Sequence, residues 1–179
     1  MISILFLMKY SFLMLSVWLF SCQANFQKYS ENSAFEKQRI GKVLDQLNAA
    51  ASTANFEDYF NLFSEDAFFI GTDASEKWNI LAFKTYAKPH FDKGKAWSFV
   101  ILKREIFLSK DGQMAWFDEL LDTRMKICRG SGVLTKINNK WKISQYVLSM
   151  TVPNDNSDEV IKIKTFIENK QIEDIKKGD

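Results

Sequence analysis

Ala96-Trp-Ser-Phe-Val-Ile-Leu-Lys-Arg-Glu-Ile-Phe-Leu-Ser109, Lys110-Asp-Gly112 and Gln113-Met-Ala-Trp-Phe-Asp-Glu-Leu-Leu-Asp-Thr-Arg-Met125 follow one another without interruption. Both long segments favour a period of two, and the three residues between them are turn formers, so the stretch predicts a hairpin of long strands. A second hairpin follows, Cys128 to Ile137 and Trp141 to Val152, around Asn138-Asn139, a pair suited to positive φ. Gly130 and Gly132 interrupt its first strand, where glycine permits a bulge or sharp coiling. The sheet is therefore expected to curl around these two positions.

Upstream the period is helical. Ile40, Val43, Leu44, Leu47 and Ala51 predict a first helix from about Ala34 to Thr53. Asn55 reads as the N-cap of a short second helix carrying Phe56, Tyr59, Phe60 and Phe63. Asp66 to Gly71 reads as a short buried strand, and Thr72 to Ser75 as a turn in which Asp73 accepts backbone hydrogen bonds. Asn79 caps a third helix with Leu81, Phe83, Tyr86 and Ala87; Pro89 lies in its last part and Gly94 is its stop. Ser157 to Lys176 predicts a final helix with a polar, fraying end.

The chain carries 24 basic and 22 acidic residues, a formal charge of +2, which provides no electrostatic footprint for nucleic acid. At the N-terminus Lys9 precedes an apolar run that ends at Cys22, shorter than the ~20 residues of a spanning helix and of the form of an export signal. Met1 to Leu7 are apolar and stand before Lys9, so Met8 is an alternative start. Leu19-Phe-Ser-Cys22 resembles a bacterial lipobox, which implies lipidation of Cys22 and removal of residues 1 to 21. Residues 22 to 33 then form a polar tether, and the remainder is the size of one domain. Localisation is expected in the bacterial cell envelope, facing the periplasm, and Gln23 after Cys22 leaves the outer membrane open. Cys128, the only other cysteine, is expected to be a buried free thiol; a Cys22 to Cys128 disulfide is the alternative.

The order of helix, helix, short strand, helix and long bent strands, from Ala34 to Asn154, resembles the nuclear transport factor 2-like, or SnoaL-like, superfamily. The segments that carry the likeness are Phe69-Ile-Gly-Thr-Asp73 with Glu76 and Trp78, Tyr86-Ala-Lys-Pro-His-Phe91, Lys93-Gly-Lys-Ala-Trp97, Ala115-Trp-Phe-Asp-Glu119, Cys128-Arg-Gly-Ser-Gly-Val-Leu134 and Trp141-Lys-Ile-Ser-Gln-Tyr146. The resemblance implies an α+β cone, with N-terminal helices packed on a strongly curved antiparallel sheet, a pocket at its wide end, and a homodimer through the sheet. Residues 155 to 179 are then a helical extension.

Within that frame Trp78, His90, Trp97, Glu119, Arg129 and Tyr146 are the expected ligand-binding residues. Strand alternation sends only one of Asp118 and Glu119 inward, and Glu119 shares its face with the more apolar neighbours. An inward carboxylate is either paired with Arg129 on the next strand or free to act as a base beside Tyr146 or His90. Trp97 and Trp116 either stack on a flat ligand or pack in the core. One histidine in the whole chain argues against a metal site of several imidazoles, and no serine lies in a nucleophile-elbow pattern. No cofactor is expected. Three functions remain: binding of a small hydrophobic or aromatic molecule, ketosteroid-isomerase or polyketide-cyclase chemistry with Glu119 or His90 as base and Tyr146 as hydrogen-bond donor, and a purely structural dimerisation domain.

Overall fold

The computed structural model describes residues 32–178. The export segment, Cys22 and nearly all of the tether lie outside the described residues. Helix α1 occupies residues 32–52, so Asn32 and Ser33, read from sequence as tether, are already helical. It buries Glu36, Ile40, Leu44, Leu47 and Ala51, the single stripe that a period of 3.6 produces. The corner after it is a Schellman turn: Asn55 donates to the Ala50 carbonyl at 2.8 Å and Ala54 to that of Ala51 at 3.2 Å. Ala54 takes the left-handed conformation there, with φ 54°, where glycine is the usual occupant. Asn55 then caps α2 (Phe56–Phe60), its side chain accepting the Asp58 N–H. Asn79 does the same for α3 (Ile80–Phe91) through the Ala82 N–H. Pro89 is accommodated inside α3, and Gly94 (φ 80°) turns the chain away shortly beyond it.

The strands are β1 (Phe63–Ile70), β2 (Lys77–Asn79), β3 (Val100–Leu108), β4 (Met114–Thr123), β5 (Lys126–Ile137) and β6 (Lys140–Met150). They make one curved six-stranded sheet in the order β2-β1-β6-β5-β4-β3. All pairs are antiparallel except β1 with β6, which run parallel. Helices α1 to α3 pack on the sheet's concave face, giving the mixed α+β cone expected from the element order. The short 3-10 turn Asn154–Asn156 leads into α4 (Ser157–Lys177), none of whose residues is buried. Ile163 and Phe166 of α4 lie exposed to solvent.

The curvature has a local cause close to the glycines. Val133 pairs with Gln145 but Leu134 with Ile143, leaving Ser144 as an extra residue on β6. The bulge therefore lies on the strand facing Gly132 and not on the glycine strand itself. A Cβ at Gly132 would stand 2.2 Å from the Gln145 carbonyl oxygen, so the bulged backbone closes onto a position that only glycine can occupy. β3 also begins later than its sequence pattern suggests. Val100 faces Asp122, almost the end of β4, and residues 96–99 have no strand left to pair with.

Candidate functional site

A cavity of about 780 Å³ opens between the first turns of the β-sheet, α3 and the segment leading into β3. Its wall is aromatic: Phe69 from β1, Trp78 from β2, Phe83 and Tyr86 from α3, Trp97 and Phe99 from the chain before β3. These rings form a ladder. Trp78 stacks on Tyr86 at 4.5 Å between centroids and lies near-parallel to Phe83 at 5.8 Å, while Phe83 stacks on Phe69 at 4.0 Å. Trp97 packs edge-on against Tyr59 and Phe91, so it is both cavity wall and core. His90, in the last turn of α3, completes that side of the cavity, its ring 5.4 Å from that of Tyr86.

The loop at the cavity edge is built by its own side chains. Asp73 accepts from the Ser75 backbone N–H at 2.9 Å and hydroxyl at 2.6 Å, which holds its carboxyl below the usual range. Glu76 accepts the Asp73 N–H at 3.2 Å, and its carboxylate lies over Gly71 so closely that a Cβ there would meet it at 2.1 Å. Gly71-Thr72-Asp73 is thus turn chemistry, as its residue types indicate.

Glu119 points inward and is 1% exposed, which settles the parity of β4 in favour of Glu119 over Asp118. Its partner is not Arg129. Arg104 Nε on β3 donates to Glu119 Oε2 at 2.7 Å, and Arg104 Nη1 continues to Asp45 of α1 at 2.7 Å and to the Gly41 carbonyl at 3.3 Å. On the other side the Tyr146 hydroxyl donates to Glu119 Oε1 at 2.9 Å. Burial, reinforced by the adjoining Glu119 charge, raises the Tyr146 pKa well above 10, so the phenol keeps its proton and spends it on Glu119. The bond passes over Gly130, where a Cβ would lie 2.5 Å from the Tyr146 oxygen and 2.9 Å from Glu119 Cγ. Arg129 emerges on the opposite face of the sheet, because Gly130 and not Arg129 stands opposite Glu119 in the register. There it pairs with half-exposed Asp118 at 3.2 Å. Trp116 shares that convex face, stacked on Phe107 at 5.8 Å.

A model of the SnoaL-like domain family matches residues 40–153, most of the chain. The chain belongs to that family. Solved structures with this fold include an NTF2-like protein of unknown function from Pseudomonas putida, 11% identical over 69% of this chain and 91% of that one, with a TM-score of 0.57. A domain with a cystatin-like fold from Nostoc punctiforme is 17% identical over 80% and 95%, TM-score 0.57. A putative aromatic ring hydroxylase from Novosphingobium aromaticivorans is 12% identical over 67% and 92%, TM-score 0.56. At these identities the likeness concerns the fold alone. No curated protein is significantly similar in sequence.

The expected site of this SnoaL-like domain therefore divides into three. Trp78, His90 and Trp97 line the cavity; Glu119 and Tyr146 form a closed pair deeper in the cone, separated from it by Phe69, which stacks 5.5 Å above the Tyr146 ring; Arg129 faces outward. Sequence reasoning missed Lys95, Arg124 and Met125, which also line the cavity. Their signal was positional: Val100 opposite Asp122 brings the chain just before β3 alongside the β4–β5 turn. Cys128 is buried and free, with the Thr123 hydroxyl at 3.5 Å from its sulfur. Among the described residues no helix is long and apolar enough to cross a membrane.

Proposed function

We propose that this SnoaL-like domain binds a small hydrophobic or aromatic molecule against the ring ladder of Trp78, Phe83 and Trp97. The observation that carries the reading is an open cavity of about 780 Å³, in the range of small-molecule sites, whose lining does not include the buried Glu119 carboxylate. A general base must reach a substrate proton with a free lone pair. Glu119 is 1% exposed, is absent from the cavity lining and holds Arg104 and Tyr146, so a bound molecule does not reach it. Isomerase or cyclase chemistry consequently rests on His90 alone, which lines the cavity wall. A purely structural dimerisation role leaves such a cavity without a purpose.

In this reading the domain works at the bacterial cell envelope, tethered through lipidated Cys22, and pairs with a second copy through the convex face bearing Phe107 and Trp116. Native mass spectrometry of the purified protein should show a co-purifying small molecule that is lost in Trp78→Ala with the fold intact. A chain that carries no ligand and whose tryptophan fluorescence is unmoved by any aromatic probe would end the binding reading. Intact mass of membrane-fraction protein should show an acylated N-terminus at Cys22, and a mature N-terminus elsewhere without acyl mass would remove the anchor.

A further inference from the structure

The aromatic wall explains why a flat apolar molecule is held, but not why the lining also carries two cations. Lys95 and Arg124 both line the cavity, and Glu76 is the one carboxylate among its lining residues. Glu76 accepts the Asp73 N–H, lies over Gly71 and pairs with neither cation, so two cations face one carboxylate and the lining keeps a net positive charge. Neither Lys95 nor Arg124 is paired with a carboxylate among the described residues.

Both cations also sit on fixed backbone. Arg124 occupies the β4–β5 turn, which Thr123 ties on both sides: its hydroxyl donates to the Lys126 carbonyl at 2.9 Å and accepts the Met125 N–H at 2.9 Å. Lys126 takes positive φ, 68°, to close that turn. Lys95 stands between Gly94, whose N–H returns to the Phe91 carbonyl at 2.9 Å, and Ala96, whose N–H reaches the Ala51 carbonyl at 3.4 Å. Both segments line the same cavity as Trp78 and Tyr86. A planar group stacked on the ladder therefore shares its cavity with two unpaired cations, the groups that recognise an oxyanion.

We infer that the ligand is a planar aromatic or conjugated anion, a carboxylate in the simplest case, with its ring against Trp78 and Trp97 and its charge between Lys95 and Arg124. This rests on the binding reading above and adds the charge of the ligand to it. Tryptophan quenching by three isosteric probes tests it: 2-naphthoate, 2-naphthylmethanol and 2-naphthylmethylammonium. The carboxylate should bind about ten-fold more tightly than the alcohol, as two solvent-exposed charge contacts allow, and the ammonium more weakly than either. That preference should shrink as salt is raised. Lys95→Met with Arg124→Met should bring naphthoate down to the affinity of the alcohol, and Arg124→Glu should turn the preference toward the ammonium. Because both side chains are exposed, these variants are expected to fold. Equal affinity for carboxylate and alcohol, or tighter binding of the ammonium by the unaltered protein, overturns this inference and leaves the binding reading standing. Failure of all three probes to bind overturns both.

Discussion

Replacing Arg104 by methionine tests whether the buried charges of the cone are held as described. Methionine fills much of the volume of the arginine stem and removes its charge. Arg104 makes a 2.7 Å bond to Glu119, which is 1% exposed, and a second 2.7 Å bond to Asp45, which is largely in water. Loss of the exposed contact costs about 0–1 kcal/mol. Loss of the buried one leaves a carboxylate in an apolar interior with only the Tyr146 hydroxyl to solvate it, a change that costs about 3–5 kcal/mol. The sum is a large share of the ~5–15 kcal/mol that holds a domain folded. Equilibrium urea unfolding should therefore show a strongly lowered midpoint for Arg104→Met. Adding Glu119→Gln removes the stranded charge yet keeps an oxygen for Tyr146, and should recover about 2 kcal/mol of the loss. If the double variant is less stable than Arg104→Met alone, Arg104 and Glu119 do not act as a buried charge pair.

Gly132→Ala should destabilise more than Gly130→Ala, since the first meets the Gln145 backbone carbonyl and the second only side-chain atoms of Tyr146 and Glu119; thermal unfolding ranks them, with about 1–3 kcal/mol expected for the milder one. Ala54→Gly should raise stability by about 0.5–1 kcal/mol in the same assay, because the left-handed cap position penalises a Cβ. Burial pushes the Glu36 carboxyl up, but bonds from Trp141 at 2.6 Å and Lys136 at 3.0 Å outweigh it and hold the pKa below 4.5. A depressed folded-state pKa adds stability that is fully present above about pH 4.5 and lost as pH falls through the folded value. The Tm difference between the protein and Glu36→Gln should accordingly be largest near neutrality and narrow in acid.

The parts of the fold legible in the sequence are those set by local chemistry. The change of period at Gly94, the caps at Asn55 and Asn79 and the positive φ of Asn138 and Asn139 depend on few residues and came through intact. The inward direction of Glu119 also followed, because Ala115, Phe117 and Leu121 on its face are the apolar set of β4. What failed was pairing across strands. Arg104 and Arg129 flank Glu119 on neighbouring strands, and only the register distinguishes them. The turn closing at Thr123 and Lys126 places Gly130 opposite Glu119 and sends Arg129 outward. That turn lies two residues earlier than the strand patterns ending at Met125 and starting at Cys128 suggest, whereas the bulge at Ser144 and the parallel pairing of β1 have no local signature at all.

That parallel pairing bears on the order in which the molecule can assemble. Two local hairpins supply β3 to β6 with antiparallel neighbours close in sequence, but β1 waits for β6, with Phe69 meeting Tyr146 and Phe63 meeting Ile143. Until the last strand is made, β1 offers one unpaired edge together with Phe63 and Phe69, and the ring ladder has no floor. Closing so long a loop is slow compared with forming a hairpin. During synthesis, therefore, that edge of β1 stays unpaired until the chain has been extended through Val147, the β6 residue that meets Ile70.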